Sequence, residues 1–189
     1  MVFSILQQCR KIFISQCLII YIIQFNNQRR YHEKKLSKIL VAIDGSSYSM
    51  YAAHHAIRLS LQYDAQLVVL HVLYPMEIHS SFQIYEFIHP IPIKEWIEIR
   101  KIDIQKWFDS IKKKAAEYSS SGTNKKINMR FEIIVSTSIV RSILDYAEKE
   151  NVDLIVVGTR GHSGIKKLLL GSTALGLVTY ASCPVTVVK

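Results

Sequence analysis

Short apolar runs alternate with longer amphipathic stretches over most of this chain. The runs cover residues 39–43, 67–72, 129–135, 154–157 and 185–188. Runs of this length that are rich in β-branched residues are typical of strands that a sheet buries on both faces. Between them, apolar residues recur at helical spacing and predict four helices, one ending near residue 62 and three at 95–118, 139–150 and 172–181. Strands and helices in alternation predict an α/β fold with a doubly wound parallel sheet.

Residues 73–94 do not follow this alternation. They include prolines at positions 75, 90 and 92 and many large apolar residues, so they predict a long irregular connection. The connection leaves the carboxyl end of the second strand, which is the edge where open α/β sheets bind ligands. Two interpretations stay open: a lid over a site, or a surface loop packed on its own aromatic residues.

The net charge of +9 is concentrated at the start of the chain. Residues 1–38 hold seven Lys or Arg and one Glu, whereas residues 39–189 hold 17 basic and 14 acidic residues. The remainder of the chain is therefore close to neutral, and a nucleic-acid-binding fold is not indicated. We predict a basic, partly apolar extension at residues 1–37 and a single folded domain at 38–189.

The extension contains an apolar stretch at residues 12–25, with two basic residues before it and two after it. Spanning a bilayer takes about 20 residues, and no small-residue cleavage site follows, so neither a membrane span nor a secretory signal is favoured. Peripheral membrane contact through residues 10–30, a signal anchor, and an extension outside the folded unit all stay open.

The three cysteines, Cys9, Cys17 and Cys183, are odd in number and lack metal-binding spacing. Structural disulfides are rare in reducing compartments, and free cysteines are ordinary there. The simplest interpretation is a cytoplasmic protein.

The fourth apolar run is followed by a glycine-rich loop and a helix. Glycines stand at positions 158, 161 and 171, and the last is followed by Ser172 and Thr173. Glycine lets a backbone approach a ligand closely, and the first turn of a helix favours an anion. This order of strand, loop, hydroxyl residue and helix suits a phosphate group. The P-loop pattern and the Gly-x-Gly-x-x-Gly pattern after the first strand do not occur in the chain, nor does a nucleophile elbow, zinc spacing or calcium loop.

The spacing Gly158-x2-Gly161-x9-Gly171-Ser172 resembles the nucleotide signature of the universal stress protein family. The resemblance covers residues 38–189, from Lys-Ile-Leu-Val-Ala-Ile-Asp-Gly-Ser to Pro-Val-Thr-Val-Val. It implies a five-stranded parallel sheet with strand order 3-2-1-4-5 and helices on both faces, a Rossmann-like, adenine nucleotide alpha-hydrolase-like fold.

The resemblance also implies an ATP site across the ends of the first and fourth strands, with or without Mg²⁺ or Mn²⁺ on the phosphates and without metal-binding side chains. Asp44 would contact the adenosine, and Arg160 and His162 would add positive charge. The residues beside the base would be Ala42, Ile43 and Val72. Those beside the ribose and phosphates would be Gly158, Gly161, Gly171, Ser172 and Thr173.

Each of these residues also has a purely structural interpretation. Asp44 is placed to cap the turn before the first helix, and the glycines are placed to shape a tight loop. One departure from the family is visible after the third strand, where Ser136-Thr137-Ser138 stand in place of the usual glycine. His71, at the end of the second strand, is expected to be a hydrogen-bonded histidine at the edge of the core and not a catalytic one.

Three classes of function follow. The first is an ATP-binding stress-response or signalling module that acts as a homodimer on an unknown protein partner, with at most slow hydrolysis. The second is the same fold with an empty site, acting as a protein-interaction scaffold. The third, an enzyme, lacks support because no general base with a partner is present and no catalytic residue is predicted. The homodimer would form through residues 185–188, an apolar strand expected at the sheet edge, unless the 73–94 connection or the N-terminal arm shields it.

Overall fold

The computed structural model describes residues 20–22, 36–74, 93–120, 126–161 and 170–189. Its strands are β1 (Ile20–Ile22), β2 (Lys38–Ala42), β3 (Gln66–Leu73), β4 (Met129–Val135), β5 (Leu154–Gly158) and β6 (Val185–Val188). Its helices are α1 (Ser47–Tyr63), α2 (Ile93–Ser120), α3 (Ile139–Lys149) and α4 (Ser172–Tyr180). The alternation of strands and helices predicted from the apolar pattern is confirmed.

The strands form one sheet in the order β1-β6-β5-β2-β3-β4. All four pairs among β4, β3, β2, β5 and β6 are parallel. They place the five predicted strands in the predicted order 3-2-1-4-5. β2 lies in the middle of these five, between β3 and β5. The carboxyl ends of β2 and β5 therefore meet at one edge of the sheet, where the candidate site was expected.

A sixth strand extends the sheet, and it comes from the N-terminal extension. β1 pairs antiparallel with β6, with Ile20 opposite Val187 and Ile22 opposite Val185. The expectation that residues 185–188 lie at the open edge is therefore wrong for this structure, because β6 has a neighbour on each side. An apolar edge strand is a template for further pairing, and the N-terminal arm occupies it here.

Helices cover both faces of the sheet because alternate strand residues point to opposite sides. On one face, Ile39 and Val41 pack with the buried residues of α1 and α2. On the other face, Leu40 and Ala42 pack with those of α3 and α4. The result is the three-layer arrangement that the family resemblance implied.

The amino ends of β2 and β5 are tied together by one carboxylate. Asp153 Oδ2 accepts hydrogen bonds from the backbone N of Ser37 at 2.9 Å, the hydroxyl of Ser37 at 2.7 Å and the backbone N of Lys38 at 2.9 Å. Beside it, Lys38 Nζ donates to the backbone O of Glu150 at 2.7 Å and lies 3.3 Å from its carboxylate. The hydrogen bond from Lys38 lowers the pKa of Glu150. These contacts fix the register of the central strand pair on which the site is built.

Several sequence predictions fall outside the described ranges. Most of the 73–94 connection lies there, as does all of the 10–30 segment except β1. Within the ranges that the structure covers, no helix is both long and apolar enough to cross a lipid bilayer.

Candidate functional site

The turn from β2 into α1 is built around Asp44. Its Oδ1 accepts hydrogen bonds from the backbone N and the hydroxyl of Ser46, at 3.0 Å and 2.6 Å. The Ser46 hydroxyl in turn accepts from the backbone N of Ser49 at 3.3 Å and caps the helix. Gly45 between them has φ +83°, a conformation that favours glycine. The capping role considered for Asp44 is therefore present, and it orients the carboxylate at the carboxyl edge of the sheet.

The glycines at and after the end of β5 leave room for the turn from β2 into α1. A Cβ on Gly158 would overlap the main chain at Tyr48 and Ser49, so β5 packs directly on the start of α1. A Cβ on Gly161 would overlap Oδ2 of Asp44. The glycine loop and the turn after β2 thus touch each other, although they are far apart in sequence. A site shared by β2 and β5, the first and fourth of the strands predicted from the sequence, requires this contact.

The glycine loop closes on itself before α4 begins. The backbone N of Gly171 donates to the backbone O of Thr159 at 2.7 Å, and the N of Thr159 donates to the O of Val188 at 2.8 Å. A Cβ on Gly171 would lie 3.2 Å from the same Thr159 oxygen and 3.5 Å from Cα of Arg160. The start of α4 is therefore held over the end of β5, beside Gly161.

In the part of the chain that the structure describes, no side chain caps the amino end of α4. Its N-cap is Gly171, with φ −71° and ψ 158°, and no side-chain cap hydrogen bond is formed there within the described ranges. The first backbone N–H groups of a helix have no intrahelical partner and carry the positive end of the helix dipole. Ser172 is exposed and Thr173 is half-buried. The N–H groups at such an end can donate hydrogen bonds to the oxygens of a phosphate group.

The three apolar residues expected beside the base are nearly buried, with exposed fractions of 8% for Ala42, 4% for Ile43 and 6% for Val72. Ala42 and Val72 pack in the cluster on the α3 and α4 face, whereas Ile43 packs on the α1 and α2 face. In the register that places Ala42 opposite Leu70, Val72 lies level with Asp44. The structure therefore brings Ala42 and Val72 together and turns the Ile43 side chain away from them.

An aromatic support lies under the Asp44 turn. His71 is 3% exposed, and its Nδ1 lies 2.8 Å from the backbone O of Ile43. Because a carbonyl oxygen only accepts, Nδ1 is the donor. The indole of Trp107 meets the His71 ring edge-on at 5.4 Å and fills the space where Gly45 lacks a side chain. The expected core-edge role of His71 is confirmed. Trp107 was missed as part of the site, because its helical periodicity shows only that it faces the core.

Arg160 reaches the start of α1. Its guanidinium lies 5.9 Å from the centre of the Tyr48 ring, within the range of a cation–π contact. The structure thus places one positive charge of the loop beside the turn that carries Asp44. His162, the other predicted cation, lies outside the described residues.

The loop after β4 replaces the expected glycine with a local hydrogen bond. Ser136 Oγ accepts from the backbone N of Ser138 at 3.2 Å, immediately before α3. The serines therefore hold a tight turn without a glycine at this position.

Two other features of the described residues lie apart from this site. A cavity of about 300 Å³ is lined by Ser37, Asp64 and Lys126, among others, at the amino ends of the strands. It holds none of the predicted site residues and lies at the opposite edge of the sheet. Across the described ranges, no cluster of three His, Cys, Asp or Glu side chains is arranged to bind a metal ion.

The sequence matches one known family along most of its length. The profile described as "Universal stress protein family" matches residues 35–189. The chain belongs to the universal stress protein family. Universal stress protein MJ0531 of Methanocaldococcus jannaschii is 31% identical over 183 residues, covering 95% of this chain and 96% of the relative. Universal stress protein YxiE of Bacillus subtilis is 32% identical over 155 residues, covering 81% of this chain and 99% of the relative.

Solved structures of universal stress proteins share the fold. UspA from Lactobacillus plantarum aligns with a TM-score of 0.68 at 23% identity, covering 83% of this chain and all 100% of that one. Two more distant neighbours are titled as nucleotide complexes. One is a universal stress protein with cAMP, at 18% identity, a TM-score of 0.56 and coverage of 82% and 97%. The other is a universal stress protein from Archaeoglobus fulgidus with dAMP, at 18% identity, a TM-score of 0.53 and coverage of 82% and 100%.

Proposed function

We propose that this universal stress protein binds an adenine nucleotide, and ATP in particular, across the carboxyl ends of β2 and β5. The observation that carries the proposal is the amino end of α4, which has no side-chain cap among the described residues and is held beside Gly161 and Asp44 by the hydrogen bond between Gly171 and Thr159. The N–H groups of a helix end next to a carboxylate suit a ligand that has both a phosphate tail and a polar nucleoside. Neighbours of the same fold that are titled as cAMP and dAMP complexes support the adenine base.

Each part of the ligand has a proposed place. Asp44 contacts the adenosine, and Arg160 and His162 add positive charge near the phosphates. The residues proposed beside the base are Ala42 and Val72 through their side chains and Ile43 through its backbone. The backbone groups proposed beside the ribose and phosphates belong to Gly158, Gly161, Gly171, Ser172 and Thr173. Any Mg²⁺ or Mn²⁺ would be carried by the phosphates.

Within the cell, the proposed role is a cytoplasmic stress-response or signalling module that changes a protein partner when it binds ATP. Hydrolysis, if it occurs, is slow, because no catalytic acid or base is assigned. We also propose that the functional domain is residues 38–189. A homodimer through residues 185–188 belongs to the proposal only when β1 is released, since β1 pairs with that strand.

Calorimetry tests the nucleotide proposal directly. The full chain, purified without added ligand and checked by mass spectrometry for copurified nucleotide, is titrated with ATP and magnesium, and then with cAMP and dAMP. We expect saturable heat with ATP, or copurified adenine nucleotide that ATP displaces. No copurified nucleotide and no heat up to millimolar ATP would contradict the proposal and favour the scaffold with an empty site.

A further inference from the structure

The outer edge of β6 is occupied by a segment of the same chain. β1 pairs with it over three positions, including Tyr21 opposite Thr186. β6 itself is almost fully buried, with exposed fractions of 6% at Val185 and 1% at Val187. The edge that a second copy would need is therefore covered in this structure.

The direction of β1 lets one chain make this pairing without strain. Because β1 runs antiparallel to β6, it ends beside Val185, at the amino edge of the sheet where β2 begins. Residues 23–37 connect the two strands, and a connection of that length reaches roughly 50–54 Å when extended. Three strand spacings separate β1 from β2 in the sheet, which is about 14 Å. The connection is more than long enough to place β1 on its own sheet.

The pairing also shows what kind of strand this edge accepts. β1 approaches β6 antiparallel. A second copy related by a two-fold axis would present its own β6 to this edge, and two identical strands paired about such an axis are antiparallel by symmetry. Its β6 would therefore arrive in the same orientation as β1 and use the same backbone groups. The two partners cannot be bound at once.

We propose that β1 is an internal competitor of self-association: while it is paired, the chain is a monomer, and its release opens β6 to a second copy of the chain. A tethered strand acts at an effective concentration in the millimolar range, so it outcompetes a second copy present at micromolar concentration. The inference rests on the self-association part of the proposed function and is independent of nucleotide binding.

The first test locks β1 in place. Tyr21→Cys with Thr186→Cys joins two paired residues, whose Cα separation in an antiparallel sheet suits a disulfide. The substitutions are made in the full chain after Cys9→Ser, Cys17→Ser and Cys183→Ser remove the native thiols. Oxidation should give a disulfide within one chain, seen as a monomer band of shifted mobility on a non-reducing gel.

A matched control moves one cysteine out of register. Tyr21→Cys with Val188→Cys places the second thiol two residues from the paired position, where strand neighbours are about 7–8 Å apart. It should oxidise much more slowly. A disulfide between two chains in the in-register variant would show that copies exchange β1, and equal rates in both variants would show no fixed pairing. Either result overturns the proposal.

The second test releases β1. Tyr21→Pro with Ile22→Pro removes the N–H groups of two successive residues, one of which points towards β6 in any antiparallel pairing. Asn26→Pro with Asn27→Pro places two prolines in the connection and serves as the control. Light scattering should give about the 21.7 kDa chain mass for the wild type, the control and the locked variant. The released variant should give about twice that mass.

The released variant should dimerise about a hundredfold more tightly than the wild type if β1 is paired in about nine-tenths of the molecules, because both copies must release β1 before they associate. A cooperative melt shows that each variant is folded. A folded released variant that stays monomeric at hundreds of micromolar, or a locked variant that dimerises, would overturn the proposal. ATP calorimetry on the same variants separates this outcome from failure of the nucleotide proposal. The proposed nucleotide site lies at the carboxyl ends of β2 and β5, whereas β1 pairs with β6.

Discussion

Of the helices that begin at the carboxyl edge of this sheet, α1 and α4 flank the candidate site, and their amino ends are finished differently. α1 is capped by the Ser46 hydroxyl, which is itself bound to Asp44. α4 starts at Gly171, where no side-chain cap forms within the described part of the chain. Both N-cap residues have nearly the same backbone conformation, with ψ 156° at Ser46 and 158° at Gly171. The difference is therefore in chemistry and not in chain geometry.

This difference indicates how the site divides its tasks. The protein satisfies the end of α1 itself, and that network positions the Asp44 carboxylate against Gly161. Within the described residues, the end of α4 has no such side-chain cap, and in the proposed function its N–H groups bind the phosphates. In the proposed function, one helix end builds the site and the other binds the phosphates. Four substitutions or conditions test this division, beginning with the largest expected effect.

Gly161→Val should break the contact between the two regions. Its branched side chain would overlap Asp44 Oδ2 and stand where phosphate approaches, so ATP affinity should fall at least tenfold, or about 1.4 kcal/mol. The melting temperature should also fall. Calorimetry and a thermal melt measure the two effects.

Asp44→Ala in the same chain as Gly161→Val separates them. Removing the carboxylate relieves the overlap, so part of the lost stability should return while ATP binding stays weak. Wild-type affinity in Gly161→Val alone would show that phosphate does not approach this glycine.

Ser172→Pro and Ser47→Pro compare the two helix ends at the same position. Each residue is the first of its helix, where proline is tolerated and removes only an N–H that lacks an intrahelical partner. The extended ψ of each preceding residue also suits a following proline. We expect ATP affinity to fall about fivefold in Ser172→Pro, close to 1 kcal/mol for one lost hydrogen bond, with little change in Ser47→Pro. Equal losses, measured by calorimetry, would contradict the assignment of the phosphates to α4.

Ser46→Ala should destabilise the end of α1. Loss of an N-cap hydroxyl costs about 1 kcal/mol, so a domain of this size should melt about 2–4 °C lower. Ser46→Gly imitates the cap of α4 and should cost only a few tenths of a kcal/mol. A scan in which alanine and glycine are equally damaging would show that the Ser46 bond to Asp44, lost in both, outweighs the cap.

Acidification should weaken α1 through its two histidines, with the smallest effect of the four. Burial lowers the pKa of His54 and of His55, with Lys114 adding to the first and Arg58 to the second, while Glu117 opposes the first. Both pKa values are lower in the folded than in the unfolded chain. Below about pH 6.5 the unfolded chain therefore binds more protons than the folded chain. The free energy of unfolding decreases as the pH is lowered through this range.

The melting temperature should be lower at pH 5.5 than at pH 7.5, by less than about 4 °C. The variant with His54→Gln and His55→Gln should lose most of that difference. An unchanged pH dependence in this variant would assign it to other groups.

The sequence was sufficient for the five parallel strands and for the meeting of Asp44 with Gly161. Short apolar runs locate buried strands, and the order of strands places two of their ends together. The alternation of side chains along a strand also explains the placement of Ile43. Because Ala42 and Ile43 are neighbours, they point to opposite faces, so both side chains cannot line the same side of a base.

Other features depend on contacts that local periodicity does not encode. β1 lies within an apolar stretch whose pattern does not distinguish a strand from a membrane-facing segment, and its partner is near the other end of the chain. Trp107 of α2 fills the space where Gly45 lacks a side chain. Its helical spacing in the sequence indicates only that it faces the core. The sequence shows that Gly171 offers no side-chain cap to α4, but only the tertiary structure shows that the Asp44 carboxylate lies nearby.

β2 pairs with β3, which is near it in the sequence, and with β5, which is far from it, and this has a consequence for biosynthesis. β2 finds β3 within the same βαβ unit, whereas the carboxylate that ties it to β5 is 115 residues downstream of Lys38. Contacts of such long sequence separation form late, after a large loop has been closed. A nascent chain therefore carries the Asp44 turn on an incomplete sheet, with one side of β2 open, until β5 has left the ribosome. In the proposed function, ATP therefore stabilises only the finished fold and prolongs the lifetime of the protein without guiding its folding.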